Sequence, residues 1–148
     1  MRLYRAYYAE HLLDQSALYP GVRDVLDYFK SRTQAVITNK PDPYSREILV
    51  GLGVIGYFAD VITGDSLYPK KPDPASLRAL MARYRIEPAQ TLLIGDSPID
   101  IEVGRQAGVQ TVGVAQGFAD DDELRVAKPD VIVRNFEELL RRLRAERW

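Results

Sequence analysis

The sequence contains no cysteine, which removes disulfides, thiolate nucleophiles and cysteine-based zinc sites from consideration. Histidine is nearly absent as well. The single copy, His11, has no Gly-x-Ser-x-Gly motif to accompany it, which argues against a serine-hydrolase triad. Neither sign of charge is in excess, because 20 basic and 21 acidic residues leave a formal net charge of -1. Nucleic acid and anionic membranes are therefore not expected as partners. No apolar run approaches the length of a membrane span, and the first residues lack the apolar core of a signal peptide, so the expected location is cytoplasmic.

What is present fits a soluble globular chain. Its 148 residues are 46% hydrophobic and 28% charged, enough to build one domain around a real core. Helix-like periodicity covers Leu3 to Leu13 and, after the break at Tyr19-Pro20-Gly21, the segment with Val22, Val25, Leu26 and Phe29. Short apolar runs at Ala35–Thr38, Asp60–Thr63, Thr91–Gly95, Thr111–Ala115 and Val131–Val133 read as strands, with a helical stretch after each. Asp42-Pro43 and Asp73-Pro74 each look like a cap followed by proline at the first helical position. Pro98 to Ala107 reads as a helix stopped by Gly108, and Phe136 to Glu146 as the closing helix. Strands that are continuous apolar runs, alternating with helices, predict an α/β fold with a parallel sheet covered on both faces.

Several apparent signals lose their force in context. Gly51-Leu52-Gly53-Val54-Ile55-Gly56 has the spacing of a dinucleotide-binding turn, but it follows a helix and precedes a strand. Pyrophosphate binding at a helix N-terminus needs the reverse order. Asp120-Asp121-Asp122 lacks the spacing of a calcium loop and reads as a solvated helix start. Arg141, Arg142, Arg144 and Arg147 form a basic tail to the last helix, but Glu137 and Glu138 sit one turn before Arg141 and Arg142, so ion pairs within the helix explain much of it. The echo of Lys-Pro-Asp-Pro at 40–43 and 71–74 reads as two similar helix starts.

Ligands of such sheets bind beyond the carboxyl ends of the strands, and three predicted ends carry polar residues: Thr38-Asn39, Asp65-Ser66 and Gly95-Asp96-Ser97. Ser97 as N-cap, Pro98 as first helical residue and Asp100 as the acid of a variant capping box are explained by helix initiation. Asp96 has no such structural job. A strand-end carboxylate suits a hard cation such as Mg2+, which takes a few carboxylates plus phosphate oxygens. The prolines around Lys71 restrict where its ammonium can point, and an ammonium beside transferring phosphate neutralises developing charge. A solvated lysine pair explains Lys70-Lys71 equally well. Thr38 and Asn39 could donate to phosphate oxygens or could satisfy the turn backbone.

The order of these pieces resembles the second, third and fourth motifs of haloacid dehalogenase-like hydrolases, most nearly the phosphoglycolate phosphatase-like group. The likeness rests on Thr38-Asn39-Lys40, Lys70-Lys71-Pro72-Asp73-Pro74, and Gly95-Asp96-Ser97-x-x-Asp100 with Ala107-Gly108 closing the helix. Tyr19-Pro20-Gly21-Val22 is similar to that group's return from cap to core. The resemblance implies a Rossmann-like core over residues 19–148, a remnant of a helical cap over 1–18, and a Mg2+-dependent phosphatase acting on a small phosphorylated metabolite. It also implies roles: Thr38 bonds the phosphoryl group with Asn39 assisting, Lys71 stabilises its charge and the covalent intermediate, Asp96 ligates Mg2+, and Asp100 supports the metal site or Lys71.

One family feature is not found. Members begin with an apolar strand ending in Asp-x-Asp-Gly-Thr, whose first aspartate attacks phosphorus and whose second serves as acid and base. Asp120-x-Asp122 occurs after the fourth motif and does not follow a strand. The resemblance therefore implies that this strand and most of the cap are missing, and that the chain alone has little turnover. In the family the strand lies between those ending at Thr38 and Asp96, so two apolar edges would stand unpaired. They are expected either to pair with each other or to accept a strand from another chain, and an empty gap between Ile37 and Ile94 would count against this. A non-catalytic binding or assembly module is the alternative to an enzyme. A receiver-like signalling domain would carry its acidic pair early in the chain, where none occurs.

Overall fold

The computed structural model describes residues 17–116 and 121–146. The predicted helix at Leu3–Leu13, the cap remnant up to residue 16, His11, Asp120 and Arg147 lie outside the described residues. In chain order the elements are α1 (Val22–Tyr28), β1 (Ala35–Ile37), α2 (Tyr44–Gly51), β2 (Asp60–Ile62), α3 (Ala75–Tyr84), β3 (Leu92–Gly95), α4 (Pro98–Ala107), β4 (Gln110–Val114), α5 (Asp121–Ala127), β5 (Val131–Val133) and α6 (Phe136–Glu146). The alternation read from the sequence is thus present from α1 onward. Every strand pair is parallel, as continuous apolar runs predict.

The strands form two sheets. β1 pairs with β2, setting Val36 opposite Val61, and β3, β4 and β5 pair in that order, with Ile94 opposite Val112. Between β1 and β3 lies a cavity of about 710 Å3, bordered by Ala35–Ile37 on one side and Leu92–Gly95 on the other. The break falls where the family resemblance places an absent strand. Direct pairing of the two edges, one of the two expected outcomes, does not occur, and the gap between Ile37 and Ile94, with no strand between them among the described residues, counts against the pairing expectation. The packing explains why: Ile37 and Leu93 both rest on one cluster formed by Leu77, Met81, Val103, Ala107 and Val109. Those residues come from α3, α4 and the turn after α4, so helix packing sets the spacing of the two strands and keeps them apart.

The larger core lies on the other face. Val25 from α1, Val112 and Val114 from β4, Val133 from β5 and Leu139, Leu140 and Leu143 from α6 form one buried cluster. Gly21, with φ of 84°, turns the chain into α1, and a Cβ there would lie 2.9 Å from the backbone N of Glu137. The close approach of α1 to α6 therefore requires glycine. The Tyr28 hydroxyl donates to the Leu143 carbonyl at 2.9 Å, which ties the same two helices together.

Local details refine the expected helix starts. Ser97 is the N-cap of α4 and Pro98 its first residue, as expected. At α2 and α3 the N-cap residue is the proline itself, Pro43 or Pro74, and neither makes a side-chain cap bond. The helices begin one residue later than expected; Asp73 still serves the start of α3 by accepting from its first N–H, whereas the Asp42 carboxylate is paired with Arg46. Arg46 Nε donates to Asp42 at 2.9 Å, and the Ala75 N–H donates to Asp73 at 2.8 Å. The glycine-rich stretch at 51–56 ends α2 and leads through a short 3-10 turn, Ile55–Tyr57, toward β2. It is a helix stop, with Gly53 in the left-handed region at φ 69°. In α6, Arg142 pairs with Glu138 at 3.3 Å, in keeping with ion pairing along that helix.

Candidate active site

Three of the five site residues named from the sequence meet at the end of the gap between β1 and β3. Lys71, Asp96 and Asp100 all line that cavity. Lys71 Nζ donates to Asp100 Oδ1 at 2.6 Å, and both side chains are largely buried, with 17% and 12% of their surface exposed. Such a pair is shielded from bulk water, so it fixes the ammonium's position more firmly than a surface contact would. The other oxygen of Asp100 accepts a hydrogen bond from Ser97 Oγ at 3.0 Å, and the Asp100 N–H donates back to Ser97 Oγ at 3.4 Å. The capping arrangement at the start of α4 and the ion pair are therefore one network. Asp100 serves the helix and Lys71 together.

Asp96 sits half-buried one residue beyond β3. Burial raises its carboxyl above the ordinary range, and the neighbouring Asp100 carboxylate raises it further, against smaller lowering effects from a backbone hydrogen bond and Lys71. A carboxylate disfavoured by desolvation and by a like charge is one that a cation would stabilise. That donor set fits Mg2+, which needs only one or two carboxylates alongside phosphate oxygens. Among the described residues no group of three or more His, Cys, Asp or Glu forms a metal cluster, so any such ion would draw further ligands from substrate or water.

Gly95 makes this geometry possible. A Cβ built there would fall 2.3 Å from the Asp100 Cβ and 2.6 Å from its Oδ2. Any larger residue would push Asp100 away from Lys71. The sequence held a signal for this role that the motif match left unused: glycine ending an otherwise apolar strand marks close approach of another group.

Thr38 and Asn39 occupy the loop after β1. The Thr38 N–H donates to the Ile62 carbonyl at 3.0 Å, and its Oγ1 accepts from the Lys40 N–H at 3.1 Å. The hydroxyl proton is not engaged by that contact. Thr38 does not line the cavity beside Lys71, Asp96 and Asp100; its link to them runs through Asn39. The Asn39 side chain meets the backbone of Lys71 at both ends, with the Lys71 N–H donating to Oδ1 at 2.8 Å and Nδ2 donating to the Lys71 carbonyl at 3.1 Å. Asp65, at the third polar strand end, accepts from the Asp42 N–H and from Thr63 Oγ1, which together lower its carboxyl below the ordinary range. It organises the turn there.

Comparisons with known proteins agree with this geometry. The family model for haloacid dehalogenase-like hydrolases matches residues 1–114. A phosphoglycolate phosphatase from Haemophilus influenzae is 37% identical over 136 residues, covering 90% of this chain and 61% of the relative. One from Vibrio parahaemolyticus is 34% identical over 140 residues, covering 93% and 61%. Among solved structures, a predicted phosphoglycolate phosphatase from Haemophilus somnus superimposes with a TM-score of 0.88 at 34% identity, covering 95% of this chain and 63% of that one. The chain thus spans about 61% of the length of the curated relatives it matches. With the motif order, the parallel sheets and the family model in agreement, this chain belongs to the haloacid dehalogenase-like hydrolases.

Proposed function

We propose that this chain carries the phosphate- and metal-binding half of a Mg2+-dependent phosphomonoesterase of the phosphoglycolate phosphatase type, acting on a small phosphorylated metabolite. The observation that carries this reading is the 2.6 Å Lys71–Asp100 ion pair beside the half-buried Asp96 at a strand end. Asp96 would hold the ion, with Asp100 near enough to contribute to its field. Mg2+ bound there would draw charge from the phosphoryl oxygens. The ammonium of Lys71, held by Asp100, faces the same space and would offset negative charge as it grows on those oxygens. As in the family pattern, the Thr38 hydroxyl, whose proton is not used by its contact with Lys40, would donate to a phosphoryl oxygen reaching beyond the cavity lining. The largely buried setting strengthens these interactions relative to water.

The nucleophile is the part this reading does not draw from residues 17–116 or 121–146. We therefore expect the 148-residue chain to bind phosphate with Mg2+ and to turn over little or nothing, because the covalent route needs an attacking carboxylate. Purified protein assayed with p-nitrophenyl phosphate, with and without Mg2+, tests both halves. Negligible hydrolysis with Mg2+-dependent binding of orthophosphate is the expected result. Robust Mg2+-dependent hydrolysis would overturn the inactive half, and absence of any phosphate binding would overturn the whole.

One observation favours a second reading, a non-catalytic binding or assembly module. Among the described residues, the open space between β1 and β3 leaves two strand edges without backbone partners, and such edges invite association with a strand of another chain. A stable dimer in sedimentation, with no phosphate affinity, would favour that reading.

A further inference from the structure

Asn39 is placed to touch phosphate by sequence order, yet its amide is occupied. Its oxygen accepts the Lys71 N–H at 2.8 Å and its nitrogen donates to the Lys71 carbonyl at 3.1 Å. Two antiparallel bonds from one side-chain amide to one residue's backbone reproduce a step of sheet pairing, across 32 residues of chain. The loop that presents Asn39 is itself pressed against the turn after β2. A Cβ on Gly64 would lie 1.9 Å from the Asn39 carbonyl oxygen, and the Gly64 N–H donates to the Lys40 carbonyl at 2.9 Å. At the far side of Lys71, Nζ reaches Asp100 at 2.6 Å. The residue is gripped at both ends, by Asn39 on the backbone and by Asp100 on the ammonium.

We propose that Asn39 is a positioning residue that sets Lys71 for its encounter with the phosphoryl group, and that Gly64 is the glycine that lets it do so. This rests on the phosphatase reading for its consequence and on geometry alone for the clamp. Beyond the Asn39 bonds, the Lys71 loop is tied by the Asp73 N–H donating to the Lys70 carbonyl at 3.1 Å and by Gln106 Nε2 donating to the Pro72 carbonyl at 3.5 Å. With the Asn39 amide removed, the Lys71 backbone loses both long-range bonds, and its ammonium spends more time away from Asp100.

Two measurements on the full chain separate the clamp from the phosphatase reading. The first is competitive acetylation of lysines read by mass spectrometry, with the exposed Lys30, Lys70 and Lys128 as internal references. Asn39→Ala is expected to raise Lys71 labelling by on the order of threefold to tenfold, the effect of losing two modest hydrogen bonds, while the reference lysines stay unchanged. Asn39→Asp keeps the acceptor for the Lys71 N–H but loses the donor, and should give a smaller rise. Unchanged Lys71 labelling overturns the proposal, and so does an equal rise at every lysine, which would mean general loosening. If Asn39→Ala does not fold, the Asp variant decides by the same criteria. The second measurement is orthophosphate affinity in Mg2+. Under the proposal it weakens in step with Lys71 labelling. Weakening without any labelling change would assign Asn39 to direct phosphate contact and overturn the clamp. If the unaltered chain binds no phosphate, the phosphatase reading fails while the labelling result still judges the clamp.

Discussion

Val112 and Val36 are the same residue type in parallel strands of the same fold, yet one is wholly buried and the other only partly buried. The difference lies in their neighbours. β4 has a strand on each side and helices above and below, and Thr111, Val112 and Val114 are all at 3% exposure or less. Among the described residues β1 has a strand on one side only, and its other edge borders the 710 Å3 cavity. β3 borders the same cavity, and all four of its residues are only partly buried. The closed half of the molecule is thus where stability is concentrated. The open space holds the charged side chains of the candidate site, because partly buried strand ends leave room for carboxylates and an ammonium that a sealed core would exclude.

The largest test of that contrast is a pair of truncations. Leu139→Ala, in the closed half, should cost about 2–5 kcal/mol in a denaturant melt, as a fully buried leucine in a tight cluster would. Val36→Ala, beside the cavity, should cost roughly 1 kcal/mol, since its methyl groups are only partly withdrawn from water. Equal losses would break the comparison.

Gly95→Ala should have an intermediate effect of about 1–3 kcal/mol, because the added methyl would overlap Asp100 and force it to move. Its signature is the pairing of that loss with weaker orthophosphate binding. A variant of unchanged stability and affinity would show that Asp100 can shift without consequence.

The smallest effect concerns acid. Glu138 in α6 accepts hydrogen bonds from the Arg134 backbone and side chain and from Arg142, which hold its carboxyl at about 2 instead of the usual 4.5. Its folded value lies below its unfolded one, so its stabilising effect is complete above pH 4.5 and fades as pH falls toward about 2. The stability gap between the native chain and Glu138→Gln should therefore be constant above that window and close within it. A gap that stays the same across acid pH would sink this assignment, which places one acid-sensitive anchor in the closed half.

Much of the fold was legible because its signals are local. Val22, Val25, Leu26 and Phe29 announce α1 by spacing, Leu92-Leu93-Ile94 announce a buried strand by being continuous, and Ser97-Pro98 announce the start of α4 by cap chemistry. Pro43 and Pro74 stand one position before the first helical residue; Asp73 nevertheless accepts from the first N–H of α3, as cap chemistry leads one to expect, while Asp42 pairs with Arg46. Lys71, Asp96 and Asp100 were legible as a set through motif order, and the structure brings them to one cavity. Thr38 reaches that group only through its neighbour Asn39. The amide clamp on Lys71 left no periodic or compositional trace, and the need for glycine at 95 showed only as a glycine ending an apolar strand.

By itself the sequence determined the order and type of the elements, since apolar spacing and capping residues act over a few positions at a time. It also determined which residue types stand at the strand ends. Only the tertiary structure decided that β1 and β3 remain apart, because helix packing on Ile37 and Leu93 sets their separation. Only the tertiary structure, likewise, joined Asn39 to Lys71 and Lys71 to Asp100 across 32 and 29 residues. Hydrogen bonds and ion pairs form where side chains meet in space, and no pattern in the linear chain specifies that meeting.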